Sequence, residues 1–177
     1  SRLRKEAEAL RESERRMALA IAGSGTGIWD RNIQTGEIHY SEGWKSMFGY
    51  AAHEVSNRIE DSYQRVHPDD LASVQAAIQA HHEGTLPSYS VEHRLRCKDG
   101  SYKWILDRGR IVERSPNGSP LRVIGTHSDI SERKRLEHLA AEEQARLEAF
   151  VEHAPAAVAM FDREIRYVAV SNQWYID

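Results

Sequence analysis

The sequence predicts an α+β domain in which helices cover one face of an antiparallel sheet. The predicted elements follow the order strand, strand, helices, strand, strand, strand, so a helical crossing joins two strands to three others. Residues 89–97 alternate apolar or aromatic side chains with polar ones, which is typical of a half-buried antiparallel strand. Together these observations place the domain at about residues 24–130.

Composition and charge exclude several classes of protein. A net charge of −3 gives no reason to expect nucleic acid or an anionic membrane as a partner. Cys97 is the single cysteine, which excludes an intrachain disulfide and a multi-cysteine zinc site and fits a reducing, cytoplasmic setting. No run of residues approaches the roughly 18 to 20 apolar positions of a membrane span, so we expect no direct membrane contact.

Residues 1–22 predict a charged amphipathic helix. Its apolar positions recur at alternating steps of four and three, which is a heptad pattern that a glutamate interrupts. A coiled coil and a helix packed on its own domain are both compatible with so short a repeat. The positions are Leu3, Ala7, Leu10, Glu14, Met17 and Ile21.

Two short strands and a short helix begin the domain. The strands are predicted at residues 28–32 and 37–40, around a turn that contains Gly36. Residues 41–48 are expected to form a helix with a serine as its N-cap, and Gly49 is expected to end it.

The motif His67-Pro68-Asp69-Asp70 predicts the start of the main internal helix. Proline suits the first turn of a helix, and two aspartates suit its positive N-terminal end. The helix is expected to run to Gly84. Its buried stripe should consist of Leu71, Val74, Ala77 or Ile78, and His81.

Three longer strands complete the predicted sheet. They occupy residues 89–97, 102–113 and 121–129, and turns at 98–101 and 115–119 join them into a meander. Alternation along the second of these strands puts on one face Tyr102, Trp104 and Leu106.

Residues 125–134, Gly-Thr-His-Ser-Asp-Ile-Ser-Glu-Arg-Lys, join the last strand to a long charged helix. Asp129 or Ser131 can accept hydrogen bonds from the first free N–H groups of this helix, and Glu132 adds negative charge at its positive end. The helix, predicted at residues 132–149, repeats the heptad pattern. Its seam consists of Leu136, Ala140, Glu143, Leu147, Phe150 and Ala154.

The plan of the domain begins again after a linker helix at residues 131–154. Two apolar runs precede Trp174 in the sequence. In the same way, two predicted strands precede Trp44 in the first copy. Residues 155–177 are therefore predicted to be the truncated start of a second domain, too short to bury a core. Since no Met begins the chain, we expect a longer parent protein, which is free to carry a membrane anchor.

Several segments between about residues 16 and 137 together form a specific pattern: Gly27-Ile-Trp-Asp30, Met47-Phe-Gly-Tyr50, Val66-His-Pro-Asp-Asp-Leu71, Glu92-His-Arg94, Lys98-Asp-Gly-Ser-Tyr-Lys-Trp104 and Gly125-Thr-His-Ser-Asp-Ile-Ser-Glu-Arg-Lys134. Through these segments, the chain resembles a PAS domain with its C-terminal PAC motif. The subtype is common in bacterial histidine kinases and diguanylate cyclases.

The resemblance implies a five-stranded antiparallel sheet of order 2-1-5-4-3, a pocket between sheet and helices, and output through flanking helices. Asp129-Ile130-Ser131 matches the family's Asp-Ile-Thr junction, with a serine that keeps the hydroxyl. The resemblance further implies an effector domain downstream in the parent protein. The parent would be a sensor kinase or a cyclic-di-nucleotide enzyme. The heptad helices predict a homodimer.

The resemblance to PAS domains also indicates which cofactors to expect. The Asn-Cys-Arg-Phe-Leu-Gln motif of flavin-binding members is absent. His81 and His82 lie in the last turn of their predicted helix, where a structural role fits better than ligation of a haem iron. The sequence thus argues against flavin and haem and leaves the cofactor unknown, while a small organic ligand is compatible with it.

The expected ligand-pocket residues are polar groups in an apolar wall. Alternation places His93 beside Val91 and Leu95, and His127 beside Val123. A ligand with a carboxylate or a ring nitrogen would suit the two histidines. The alternative is that both are buried and hydrogen-bonded to their neighbours.

No catalytic residues and no metal-spaced cluster are visible, so this chain is not expected to be an enzyme. Three functions stay open: a sensory and dimerisation module, a ligand-free dimerising spacer, and a metabolite-binding domain without output. In the first, the residues expected to transfer the signal are Gly125, Asp129, Ile130, Ser131 and Leu136.

Overall fold

A computed structural model describes residues 2–84, 87–154 and 159–171 of the chain. The chain divides into two compact units, Ser1–Ser131 and Glu132–Asp177. Among the described helices, none combines the length and the apolar character needed to cross a bilayer.

The first unit contains one antiparallel sheet. Its strands are β1 Thr26–Asn32, β2 Ile38–Tyr40, β3 Tyr89–Arg96, β4 Tyr102–Arg114 and β5 Pro120–Asp129. They are hydrogen-bonded in the order β2-β1-β5-β4-β3, which confirms the α+β class and the strand order. The N- and C-terminal strands of the domain therefore lie side by side at its centre.

The helices are α1 Arg2–Gly23, α2 Glu42–Met47, α3 Ile59–Tyr63, α4 Pro68–His82 and α5 Ser131–Glu152. All except α3, for which no bounds were predicted, begin and end close to the predicted positions. Ser41 caps α2, because its hydroxyl accepts a hydrogen bond from the Trp44 N–H at 3.2 Å. Gly49 follows α2 with a φ of 79°, a left-handed conformation that glycine adopts without strain. Helix α5 extends past its predicted end, and Ala154 lies beyond it.

Helices and sheet enclose one core. Of the predicted stripe of α4, Val74 and His81 are buried, while Leu71 and Ile78 pack partly against the core. On β4 the shared face of Tyr102, Trp104 and Leu106 is the outer one, since the alternate residues are the buried ones. The buried apolar side chains of the core are Trp29, Ile38, Tyr40, Trp44, Phe48, Ile59, Val66, Val74, Tyr89, Leu95, Cys97, Ile105 and Val123.

Glycines on the inner face of the sheet make room for aromatic rings. Gly125 pairs with Trp29 across β1 and β5 and with Gly109 across β5 and β4. A Cβ atom on Gly125 would overlap the Trp29 ring, and one on Gly109 would overlap the Tyr89 ring. The two rings lie over this trough with centroids 6.5 Å apart and planes 28° from parallel. The Trp29 and Tyr89 rings therefore pack directly on the inner face of the sheet.

The helix-start motif ties α4 to β3. Pro68 is the first residue of α4, and His67 Nδ1 accepts a hydrogen bond from the Asp69 N–H at 3.3 Å. The Asp70 carboxylate accepts hydrogen bonds from the Arg94 backbone N–H (2.8 Å), Nε (2.9 Å) and Nη2 (2.7 Å). This arrangement has a structural purpose, because it fixes the helix on the strand.

In the second unit, β6 Ala159–Phe161 pairs antiparallel with β7 Tyr167–Val170. The pair coincides with the two predicted apolar runs. Trp174 lies outside the described residues, so the second PAS repeat stays a prediction.

Candidate ligand pocket and signal-transfer junction

A cavity of about 40 Å³ lies between the inner face of the sheet and α3 and α4. This volume has room for about three water molecules. Of the residues predicted to line a pocket, His93, Leu95, Val123 and His127 do so, while Val91 packs against the core without lining the cavity. The rest of the lining is Trp29, Arg31, Ile38, Ile59, Ser62, Tyr63, Val66, Val74, Ile78, His82, Tyr89 and Asp107.

Asp107 on β4 is a buried carboxylate in the cavity wall. Its Oδ1 accepts a hydrogen bond from Trp29 Nε1 (3.1 Å) and lies 3.2 Å from His127 Nε2. Its Oδ2 accepts one from the Tyr89 hydroxyl (3.1 Å). Burial and the nearby carboxylate raise the pKa of Tyr89 well above its usual value, so the hydroxyl keeps the proton it donates. Donors therefore surround the charge, as a buried carboxylate requires.

His127 completes this network from β5. Trp44 Nε1 donates a hydrogen bond to His127 Nδ1 at 2.8 Å. An indole N–H is only a donor, so Nδ1 holds a lone pair and the proton of the neutral ring lies on Nε2, facing Asp107. The network thus connects helix α2 to β5 and β4.

Three side chains around this network lie close enough together to be candidate metal ligands. His93, Asp107 and His127 each place a possible ligand atom within 4.8 Å of the others. Neither nitrogen of His127 is available, however, because Nδ1 accepts the Trp44 N–H and Nε2 carries the proton. This donor set fits a hydrogen-bond network and does not fit a metal centre.

His93 lies beside this network as a neutral ring. Its plane stands at 83° to that of His127, with centroids 5.9 Å apart. Burial lowers the pKa of His93 to about 4, against the opposing effect of Asp107. Its Nδ1 is buried without a hydrogen-bond partner.

The junction between β5 and α5 is hydrogen-bonded to β4. Asp129 Oδ1 accepts the Ser131 N–H at 2.9 Å, and Oδ2 binds Lys103 Nζ at 2.7 Å. The Ser131 hydroxyl accepts the Trp104 N–H at 3.0 Å, and the Ile130 N–H donates to the Trp104 carbonyl at 2.9 Å. Asp129 is therefore the residue that binds a first N–H group of α5, while Ser131 holds the strand.

The remaining predicted signal-transfer residues have different surroundings. Gly125 is buried under the Trp29 ring, so a steric reason already accounts for a glycine there. Leu136 is 51% exposed on α5.

Sequence reasoning missed Asp107 and Lys103. Both lie on β4, and alternation from the buried Ile105 would have placed Asp107 on the inner face. An acidic residue in an inward row is a signal that the pattern contained.

The fold and the site together agree with comparisons to known proteins. A family model described as the PAS fold matches residues 37–127. The chain belongs to this family.

Solved PAS structures give the same result. The crystal structure of a sensory box histidine kinase/response regulator from Burkholderia thailandensis E264 is 36% identical, with a TM-score of 0.66 over 76% of this chain and 98% of that chain. The N-terminal domain of a diguanylate cyclase with PAS/PAC sensor from Marinobacter aquaeolei is 27% identical, with a TM-score of 0.54 over 64% of this chain and 98% of that one.

Sensor FixL of Bradyrhizobium diazoefficiens is 24% identical over 142 residues, which are 80% of this chain and 28% of that protein. The chain spans 19% of a further relative, the non-motile and phage-resistance protein of Caulobacter vibrioides. This PAS domain is thus homologous to domains of sensor proteins.

Proposed function

We propose that this PAS domain is the sensory and dimerisation module of a larger bacterial signalling protein of the histidine kinase or diguanylate cyclase type. A small ligand in the cavity, or the state of a partner, would bias the Asp129-Ile130-Ser131 junction and so helix α5. The parent would act in the cytoplasm as a homodimer joined through α1 and α5, with its effector domain downstream.

The observation that carries the proposal is that the same two strands bear the cavity wall and the junction. On β5, His127 lines the cavity and Asp129 binds the start of α5 two residues later. On β4, Asp107 lines the cavity, while Lys103 binds Asp129. A shift of either strand caused by a ligand therefore changes the geometry that holds the first turn of α5.

This coupling needs a two-state element. A ligand shifts such an equilibrium only by its difference in affinity for the two states. The junction supplies a candidate, because its hydrogen bonds are either made, which orders the first turn of α5, or broken. Order of the helix would then be the output that a downstream domain reads.

Asp129→Ala in the parent protein tests the proposal. It should change the ligand response of the output activity while leaving ligand affinity within about twofold, since Asp129 does not line the cavity. Asp99→Ala is the matched control, because Asp99 Oδ1 accepts the Ser101 N–H at the same 2.9 Å in the turn between β3 and β4 and binds no N–H group of α5. Equal effects of the two variants on output would contradict the proposal.

The small volume of the cavity favours one alternative, a ligand-free dimerising spacer. Side chains of the domain fill most of the space between sheet and helices and leave about 40 Å³. Mass spectrometry of small molecules released from freshly purified protein separates the two functions: a stoichiometric ligand supports the sensor, and an empty domain whose cavity variants leave output unchanged supports the spacer.

A further inference from the structure

The cavity continues into a groove on the surface of the first unit. Arg31, Tyr63, Ile78 and His82 line both spaces, and the groove is otherwise lined by Gln75 and Gln79. These shared residues form the entrance of the cavity. Arg31 extends to it from β1, and His82 is the last residue of α4.

The Arg31 guanidinium is only partly satisfied. Its Nη1 donates a hydrogen bond to the Tyr63 hydroxyl at 3.1 Å, and the cation lies 5.9 Å from the centre of the Tyr63 ring. Its Nε is buried without an acceptor. A buried donor of a charged group that lacks an acceptor is costly, so this nitrogen favours a ligand that brings an oxygen acceptor. The Nε edge of arginine matches the geometry of a carboxylate.

The entrance is positively charged. Arg31 is the arginine that lines it, and burial together with the Arg31 charge lowers the pKa of His82. The residues that line the groove include no carboxylate, and Glu83 next to His82 binds the Gln79 amide at 2.8 Å. An anion at Arg31 would therefore meet an attractive potential.

The backbone positions of Arg31 and of the buried Asp107 are well separated along the sheet. Arg31 pairs with Val123 on β5, and Asp107 pairs with His127, four residues further along the same strand. That separation is about 13 Å along the strand. Trp29, Tyr89 and His127 surround Asp107 at its own end of the cavity.

We propose that the cavity binds a small apolar monocarboxylate, whose carboxylate accepts hydrogen bonds from the Arg31 guanidinium and whose hydrocarbon end lies among Ile38, Ile59 and Val74. All three apolar residues line the cavity. Room for about three water molecules suits a short chain of a few carbon atoms and is too small for a fused ring system. This inference rests on the proposed sensory function and names the ligand class for it.

Calorimetric titration of the chain with butyrate tests this ligand class, with butyramide as the neutral isostere and sodium chloride added to equal ionic strength. Butyrate should bind saturably and at least about tenfold more tightly than butyramide, because a charge-assisted hydrogen bond is lost in the amide. Arg31→Gln should abolish the preference. Arg110→Gln, which removes an exposed arginine of β4, should preserve it.

Should Arg31→Gln fail to fold, Arg31→Lys replaces it, since lysine keeps the charge and loses the planar fork, and it should weaken butyrate binding about tenfold. Equal affinities for butyrate and butyramide, unchanged binding in the Arg31 variants, or no saturable binding of propionate, butyrate or hexanoate would each overturn the inference. Recovery of a ligand without a carboxylate from the purified protein would overturn it and leave the sensory function standing. Butyrate binding that never alters the output of the parent would support the ligand class and contradict the sensory function.

Discussion

Asp107 shows how a single side chain can hold the inner face of the sheet together. The carboxylate is removed from water and connects groups from three other strands of the sheet: Trp29 on β1, Tyr89 on β3 and His127 on β5. Through His127 the network reaches Trp44 on helix α2. Loss of one member leaves buried polar atoms without partners, so single substitutions in this network should markedly lower the free energy of unfolding.

Asp107→Ala should lower the free energy of unfolding by about 3 kcal/mol or more, because it leaves the Trp29 N–H and the Tyr89 hydroxyl buried without their acceptor. Urea denaturation measures this loss. Glu113→Ala, an exposed acid on the same strand, should cost less than about 0.5 kcal/mol. Equal losses in the two variants would show that the network contributes little.

Gly125→Ala should destabilise the domain by about 1–3 kcal/mol or more, since the added Cβ would overlap both the Trp29 ring and the Arg108 carbonyl oxygen. Thermal unfolding followed by tryptophan fluorescence measures the effect. The control is Gly43→Ala in helix α2, where a Cβ would be in ordinary contact at 3.9 Å and alanine should be neutral or stabilising. If Gly125→Ala is as stable as the control, the trough is not sterically required.

At the scale of elements, the domain depends on contacts that fix helices to strands. The Asp70–Arg94 pair fixes the start of α4 to β3, and the Asp129 junction fixes the start of α5 to β4. In both places a carboxylate near the positive end of a helix also binds a cation on a strand. The start of each helix is therefore tied to the sheet by a carboxylate.

The Asp70–Arg94 pair should make stability depend on pH. The hydrogen bonds from Arg94 hold the pKa of Asp70 below its usual value, which is about 3.9 in the unfolded chain. A lowered folded-state pKa contributes stability that is fully present above the unfolded pKa and is lost as the pH falls through the folded one. Asp70→Asn should therefore cost about 1.5–3 kcal/mol at pH 7, and the difference from the natural chain should shrink below about pH 4.

Urea unfolding at pH 7, 5, 4 and 3 checks this prediction. Asp69→Asn is the matched control in the same helical turn, because its carboxylate is mostly exposed and lies 3.5 Å from Arg94. Its effect should be smaller and nearly constant over the same range. A cost of Asp70→Asn that stays constant down to pH 3 would contradict the assignment.

For the whole molecule, the flanking helices present apolar side chains to solvent. On α1, Leu3, Leu10 and Met17 are 78%, 61% and 63% exposed. On α5, Leu147 and Phe150 are 40% and 70% exposed. These residues lie on the predicted heptad seams, and such unpartnered stripes are what a helical dimer contact would cover.

Leu147→Glu should weaken self-association and raise the dimer dissociation constant at least about tenfold. Each copy would lose a leucine that the dimer contact buries. Sedimentation equilibrium or light scattering over a range of concentrations measures the constant. Ala145→Glu, an exposed position of α5 outside the seam, should leave it within about threefold. A monomer at all concentrations in the natural chain would contradict the dimer.

The elements of this protein could be predicted from the sequence because their signals are local. Ser41 and Gly49 delimit α2, Pro68 opens α4, and the alternation of residues 89–97 identifies β3. Resemblance to a known family then gave the strand order. Within the site, alternation alone found His93 and His127, since the inward row of a strand follows from its period of two.

Tertiary structure alone decided which inward residues meet. Asp107 and His127 are neighbours because β4 and β5 pair in one register, and a shift of either strand by one residue would turn its own side chain away from the cavity. The same holds for Arg31, whose place at the entrance depends on the residues that α3 and α4 contribute beside it. Register and helix packing arise from contacts between distant parts of the chain, whereas period, caps and turns are set by adjacent residues; only the latter can be read from the sequence alone.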